Sequence, residues 1–287
     1  MATGIFVGLT TLDLIYLSQQ LPAPDQKLVA SDYTIAAGGP ATNAAVTFAY
    51  LGNRAKLFSA IGCHPLARTI RTDLDRPTLQ VFDLAPDRVA PPPVSSIVVT
   101  AGTGERAVIS INATRSQLDP VALPADALNS ADIFAIDGHQ MSISRELARQ
   151  ARDRGIPVAI DGGSWKPGFE TVLPFVDYAV CSANFFPPGC CTHADVFACL
   201  AYYQIPHIAI THGSQAIAYR SNGNTGERSV PAIEPVDTLG AGDIFHGAFY
   251  HYILREPFPT ALTSAARIAA RACQSFGPRQ WMLSNSP

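Results

Sequence analysis

The sequence predicts an α/β fold, a doubly wound and mostly parallel sheet carrying a small β-sheet lid. Short continuous apolar runs recur along the chain, as strands buried on both faces of a parallel sheet require. The segments between them carry apolar residues at helical spacing, which gives the βαβ rhythm of a doubly wound sheet. Two stretches break that rhythm, and extended pieces inserted between core elements form a separate small sheet.

Taken in order, residues 4–9 read as the first strand. Residues 13–37 read as two extended pieces around Leu21-Pro22-Ala23-Pro24. Gly38-Gly39-Pro40 then opens a helix that continues through Phe48 and Leu51. A strand at 56–61 follows, and residues 94–111 read as a hairpin turning at Gly102-Thr103-Gly104. The runs at 133–136, 158–160, 178–181 and 208–211 supply further strands. After Gly240-Ala241-Gly242 a helix shows a face of Ile244, Phe245, Ala248, Phe249, Tyr252 and Ile253, and a last one carries Leu262, Ala265, Ala269, Ala272 and Phe276. The expected organisation is a single α/β domain over 1–287 with lid segments at 13–37 and 94–111.

Of the 287 residues, 47% are hydrophobic and only 15% charged, which excludes a disordered or coiled-coil chain. A net charge of −3, with no basic cluster, excludes a nucleic-acid partner. The long charge-free stretch 33–53 is broken by Gly38-Gly39-Pro40 and holds Asn43, so no membrane span is expected. The start MATGIFVGLTTLD has no basic region before its apolar run, which points to a cytoplasmic protein whose six cysteines stay reduced.

Asp237-Thr-Leu-Gly-Ala-Gly-Asp243 carries the most chemistry. Gly240, Ala241 and Gly242 leave a nearly bare backbone at a helix start, where unpaired N–H groups and the dipole favour an anion. Asp243 in the first turn either caps the helix or, beside an anion hole, removes a proton from a hydroxyl attacking a terminal phosphoryl group. In Gly38-Gly39-Pro40-Ala41-Thr42-Asn43 the glycines permit close ligand approach and Asn43 offers donor and acceptor, as polyol recognition needs; a plain turn is the alternative. Asp13, after the first strand, can accept two hydroxyl hydrogen bonds on the same rim.

The segments GGPATNAAVTFAYLG and DTLGAGDIFHGAF resemble the two signatures of the ribokinase-like, or PfkB-type, carbohydrate kinases. The likeness extends through the lid-like insertions and the strand at 208–211. Within the family, GLTTLDLIYL and Asp-Ile-Phe-His-Gly-Ala look closest to the ketohexokinase-like and sulfofructose kinase branch. The resemblance implies ATP-dependent transfer of the γ-phosphoryl group to a hydroxyl of a ketose or related sugar. Asp243 would be the base and Gly240, Ala241 and Gly242 the anion hole, with Asp13, Gly39 and Asn43 on the sugar. It places Thr211, Gly213, Ser182 and Asn184 at the nucleotide, and Asp237 with Gly277 at a monovalent-cation loop. ATP and Mg²⁺ are the implied cofactors, with K⁺ left open. The implied partners are a small sugar and ATP, with a homodimer through the exposed lid edge as an option.

The chain departs from the family pattern in more than one place, and Ile61-Gly62-Cys63-His64-Pro65 lacks the acidic residues that many relatives carry on the sugar rim after this Gly. The usual Asn-x-x-Glu stretch reads Cys181-Ser-Ala-Asn184-Phe-Phe-Pro-Pro188, with no Glu in either register. Mg²⁺ would then be held through nucleotide and water. A nucleoside kinase, with Tyr16, Tyr33 and Phe82 as a base slot, and a ribokinase-fold protein that binds without turnover stay as alternatives. Lys27 sits at a lid position where the sulfofructose branch places a cation, though Asp137-Gly138-His139 lacks the arginine expected beside it. His139, His246 and Lys166 each fit either a ligand contact or plain packing and solvation. Cys190, Cys191, His193 and Cys199 lack the spacing of a structural zinc site.

Overall fold

The computed structural model describes residues 1–111, 113, 117–119, 123–124 and 126–283. The chain enters on β1 (Thr3–Val7), then β2 (Thr11–Ser18) and β3 (Asp32–Gly38), which leads into α1 (Pro40–Tyr50). β4 (Arg54–Ser59), α2 (Pro65–Asp73), β5 (Leu79–Asp83), β6 (Val94–Thr100), β7 (Arg106–Ser110) and β8 (Ile133–Ile136) follow. Next come α3 (Met141–Asp153), β9 (Val158–Gly162), α4 (Phe169–Val172), β10 (Tyr178–Ser182), α5 (His193–Tyr202) and β11 (His207–His212). The hairpin β12 (Gln215–Ser221) and β13 (Asn224–Arg228), then α6 (Ala241–Ile253) and α7 (Phe258–Ala272), complete the chain.

The large sheet runs β13-β12-β11-β10-β9-β8-β1-β4-β5, parallel from β5 across to β11 and antiparallel in the last two strands. Because strand side chains alternate, Phe6 joins the core under α1, α6 and α7, whereas Ile5 and Val7 join the core under α3, α4 and α5. Every residue from Ile5 to Val7 is fully buried, which is why the run reads as continuous rather than alternating. Burial of each such side chain contributes roughly 1.5–3 kcal/mol.

The two inserted segments do pair with each other. The small sheet runs β3-β2-β6-β7, with β2 parallel to β6 and the outer pairs antiparallel. Ile15, Ile97 and Val99 pack from it onto Leu239 and Phe276, so this face looks toward the loop preceding α6.

Several expected bounds shift. β1 stops at Val7: Gly8 N–H still closes the ladder on the Phe58 carbonyl (3.2 Å), but the next amide, Leu9 N–H, turns to Asp137 Oδ2 (2.8 Å). The strand expected at 56–61 starts earlier and ends at Ser59, since Ile61 N–H turns to Asp83 Oδ1 (3.0 Å). The last helix stops short of Phe276: the Cys273 carbonyl leaves the helix and accepts from Val236 and Asp237 N–H (2.8 and 3.1 Å). α6 is buried continuously from Ile244 to Tyr250 rather than along one stripe, because it lies between the sheet and α1 and α7. Among the described residues no helix is long and apolar enough to cross a membrane.

Candidate active site

The parallel strands all end on one edge of the large sheet, where open α/β sheets place their ligands. α1 and α6 both begin there. Gly39 precedes α1 with φ +99°, and a Cβ at that position would collide with the Leu9 carbonyl, so the tight entry requires glycine. Gly240 precedes α6 with φ +70°. Ala241 N–H is taken by the Thr238 carbonyl (3.3 Å), whereas no hydrogen bond among the described residues claims the Gly240 and Gly242 N–H groups. The anion hole expected from three amides therefore keeps two of them unengaged.

Asp243 is half-buried at this helix start, and its Oδ2 accepts from Asn43 Nδ2 (2.8 Å) across 200 residues of sequence. Burial and the nearby Asp161 carboxylate push Asp243 up to about 7, against the opposing pull of Asn43, His246 and Arg106. A carboxyl titrating near neutrality can both take and release a proton at working pH. Asn43 is itself clamped: Arg279 Nη1 donates to its Oδ1 (2.9 Å), Arg279 Nη2 donates to the Ala37 carbonyl (2.7 Å), and the same guanidinium pairs with Asp73 (3.4 Å). Asn43, expected to face a sugar, thus spends much of its amide on orienting Asp243.

Asp13 is buried, with Thr11 Oγ1 donating to its Oδ1 (2.7 Å) and the Ser95 hydroxyl also bonded to it. Burial raises its carboxyl, while Thr11, Ser95 and the Arg279 charge pull the other way. A side chain on Gly38 would overlap that carboxylate, which explains the first glycine of the pair. Asp237 and Gly277 are joined directly: Gly277 N–H donates to Asp237 Oδ2 and Leu239 N–H to Oδ1, both at 2.8 Å. This brace fixes the turn ahead of α6 against the C-terminal segment.

Ser182 and Thr211 are register partners at the ends of β10 and β11. Ser182 Oγ donates to the Gly163 carbonyl (2.6 Å) and accepts from Asn184 N–H (3.1 Å), Thr211 Oγ1 donates to the Cys181 carbonyl (3.3 Å), and Gly213 turns the exposed β11–β12 hairpin at φ +63°. Lys27 is not brought in: it is exposed in the loop between β2 and β3, without a hydrogen bond or ion pair among the described residues. Nor do the three aromatic rings assemble into one slot. Tyr16 and Tyr33 lie side by side (6.4 Å) on the exposed face of the small sheet, while Phe82 stacks on Phe58 at 4.6 Å in the large one. Among the described residues no group of three or more His, Cys, Asp or Glu is disposed to hold a metal ion.

Two further carboxylates, Asp137 and Asp161, lie at the same edge of the sheet. Asp137, just after β8, accepts from Leu9 and Ala41 N–H through Oδ2 (2.8 and 3.1 Å) and from His139 N–H through Oδ1 (2.9 Å). Burial alone would raise it, yet His139, the Leu9 amide and Lys166 hold it at about 2. His139 is buried against this carboxylate (3.1 Å), and Lys166 donates to the Asp137 and Ser164 carbonyls (3.3 and 3.4 Å), so neither is a solvated loop residue. Asp161, the fourth residue of β9, pairs with His246 (3.3 Å). The available signal was a carboxylate ending an apolar parallel strand, as in Phe-Ala-Ile-Asp137 and Val-Ala-Ile-Asp161. Arg279 had none.

This geometry combines a glycine-rich helix mouth, a near-neutral carboxyl and a polar rim under a small sheet. The chain is 23% identical to the ribokinase of Bacillus subtilis (strain 168) over 289 residues, covering 96% of this chain and 94% of that protein. Its fold matches the ribokinase of Thermotoga maritima with a TM-score of 0.79 at 17% identity, and that of Arabidopsis thaliana, solved with ribose and ATP, with a TM-score of 0.74 at 19% identity. Each structural match covers 99% of both chains. The model of the pfkB family of carbohydrate kinases matches residues 1–284, nearly end to end and through both glycine-rich motifs, and the chain therefore belongs to that family.

Proposed function

We propose that the protein is a kinase that transfers the γ-phosphoryl group of ATP to a hydroxyl of a ketose or related sugar. The observation that carries this is Asp243, placed at the mouth of α6 beside unengaged amides, held by Asn43 and titrating near 7. In this reading the substrate hydroxyl gives its proton to Asp243 as its oxygen attacks the γ-phosphorus. The Gly240 and Gly242 amides and the α6 dipole stabilise the charge that develops on the phosphoryl oxygens. Asp13 and Gly39 line the sugar rim, and Ser182, Asn184, Thr211 and Gly213 form the nucleotide end. Mg²⁺ would be held through the ATP phosphates and water rather than by a carboxylate cluster of the chain, and would supply charge that neutralises those phosphates. Residues 1–287 act as one unit, in the cytoplasm, with 13–37 and 94–111 as a lid that keeps water from competing as acceptor. A second copy pairs along the β7 edge, where Val108 and Ile109 are exposed.

The test is Mg²⁺- and acceptor-dependent ADP release against ketoses, aldoses, sulfosugars and nucleosides, for the native protein and Asp243→Asn. Turnover on a sugar, lowered about 10²-fold or more in the variant with its melting temperature kept, supports the reading. Turnover confined to nucleosides, or binding of Mg-ATP and sugar with no ADP released from any acceptor, overturns it.

A further inference from the structure

His246 follows Asp243 by one turn of α6 and is 4% exposed. Its Nδ1 faces the Gly242 carbonyl (2.8 Å) and Asp161 Oδ2 (3.3 Å), and its Nε2 faces the Val180 carbonyl (3.1 Å). All three neighbours are acceptors. A neutral imidazole has one N–H and one lone pair, so either tautomer would turn a lone pair against an oxygen in a site with little water. Two N–H donors satisfy both sides. The countercharge is at hand in Asp161, 6% exposed, for which His246 is the partner within ion-pair reach among the described residues.

We propose that His246 is a buried imidazolium which, paired with Asp161, acts as a positioning residue that sets the charge state of Asp243. This rests on the reading of Asp243 as the base only for its catalytic consequence. Asp243 faces Asn43 from α1, Arg106 from β7, Asp161 from β9 and His246 from its own helix. Asp161 faces Asp137 and His139 after β8, Lys166 after β9, Cys181 of β10, and His246 and Tyr250 of α6. Asp161 pushes Asp243 up and His246 pulls it down, so the two charges act as opposed settings on one carboxyl. Removing the imidazolium leaves Asp161 unpaired and drives Asp243 upward. Neutralising Asp161 does the reverse.

The experiment is NMR of the apo protein, reading the His246 ring nitrogens and titrating the Asp243 carboxyl carbon, assigned with Asp243→Asn. Both ring nitrogens should show N–H character at neutral pH. His246→Gln should raise the Asp243 midpoint and Asp161→Asn should lower it, each by about one pH unit. Damage to packing alone would move both variants the same way. A ring with one bare nitrogen in the native protein overturns the proposal, as do midpoints that shift together or stay fixed. Should His246→Gln fail to fold, the native ring nitrogens and Asp161→Asn still decide. The acid limb of kcat/KM should follow the two midpoints; if the midpoints move apart and the limb does not, Asp243 is not the base while the assignment of His246 stands.

Discussion

Gly247→Ala tests whether the α1–α6 contact holds the candidate base in place. A Cβ on Gly247 would lie 2.7 Å from Thr47 Cβ and closer still to the Ala44 carbonyl oxygen. Carbon atoms pack at about 3.5 Å, so the helices would have to part by about 0.8 Å or more. Such overpacking costs about 1–3 kcal/mol, offset by roughly 1 kcal/mol from the better helix propensity of alanine. The functional effect should be larger than the loss of stability. Asn43 directly precedes Ala44 and lies one turn before Thr47, as Asp243 lies one turn before Gly247, and their hydrogen bond of 2.8 Å would stretch toward about 3.5 Å, the limit of a useful bond. A misplacement of this size at the reacting group lowers kcat by about 10–10²-fold. Urea unfolding gives the stability, and steady-state kinetics with the best acceptor give kcat and the two KM values. Native stability and native kcat would refute the packing argument; lost stability with native kcat would refute the link between that packing and Asp243.

Three other perturbations follow from the same site. Asp13→Ala should raise KM for the sugar about tenfold or more and lower kcat through misplacement, leaving ATP affinity unchanged; a change in ATP affinity alone would move Asp13 off the sugar rim. Arg279→Met removes the clamp on Asn43 and strands Asp73, and should lower the melting temperature by about 4–8 °C and kcat with it, as calorimetry and kinetics would show. Asp137 is held at about 2, below its ordinary 3.8, so its charge stabilises the fold above about pH 4 and that contribution is lost as the pH falls toward 2. Asp137→Asn should therefore cost roughly 2 kcal/mol at neutral pH by urea unfolding, with the difference from native shrinking through that acid window.

The sequence by itself determined the central strands and the glycine-rich helix mouths, because both depend on local causes. A strand buried on both faces must be apolar throughout, and a backbone that approaches a ligand or turns at positive φ needs glycine at Gly39 and Gly240. The pairing of residues 13–37 with 94–111 was also legible, since extended pieces with no room in the main sheet must pair with each other. The strands β5, β12 and β13 were not, because they lie at or near the sheet edges and carry mixed burial without a continuous apolar run. Only the tertiary structure decided how the polar groups are used. Asn43 meets Asp243 and Arg279 across 200 and 236 residues, and Asp137 meets Leu9 across 128. A lone Arg or Asp has no periodicity to betray it. Whether such a side chain binds substrate, orients a neighbour or neutralises a charge is set by desolvation and by the groups the fold brings within hydrogen-bonding distance, and neither is written in the residues beside it.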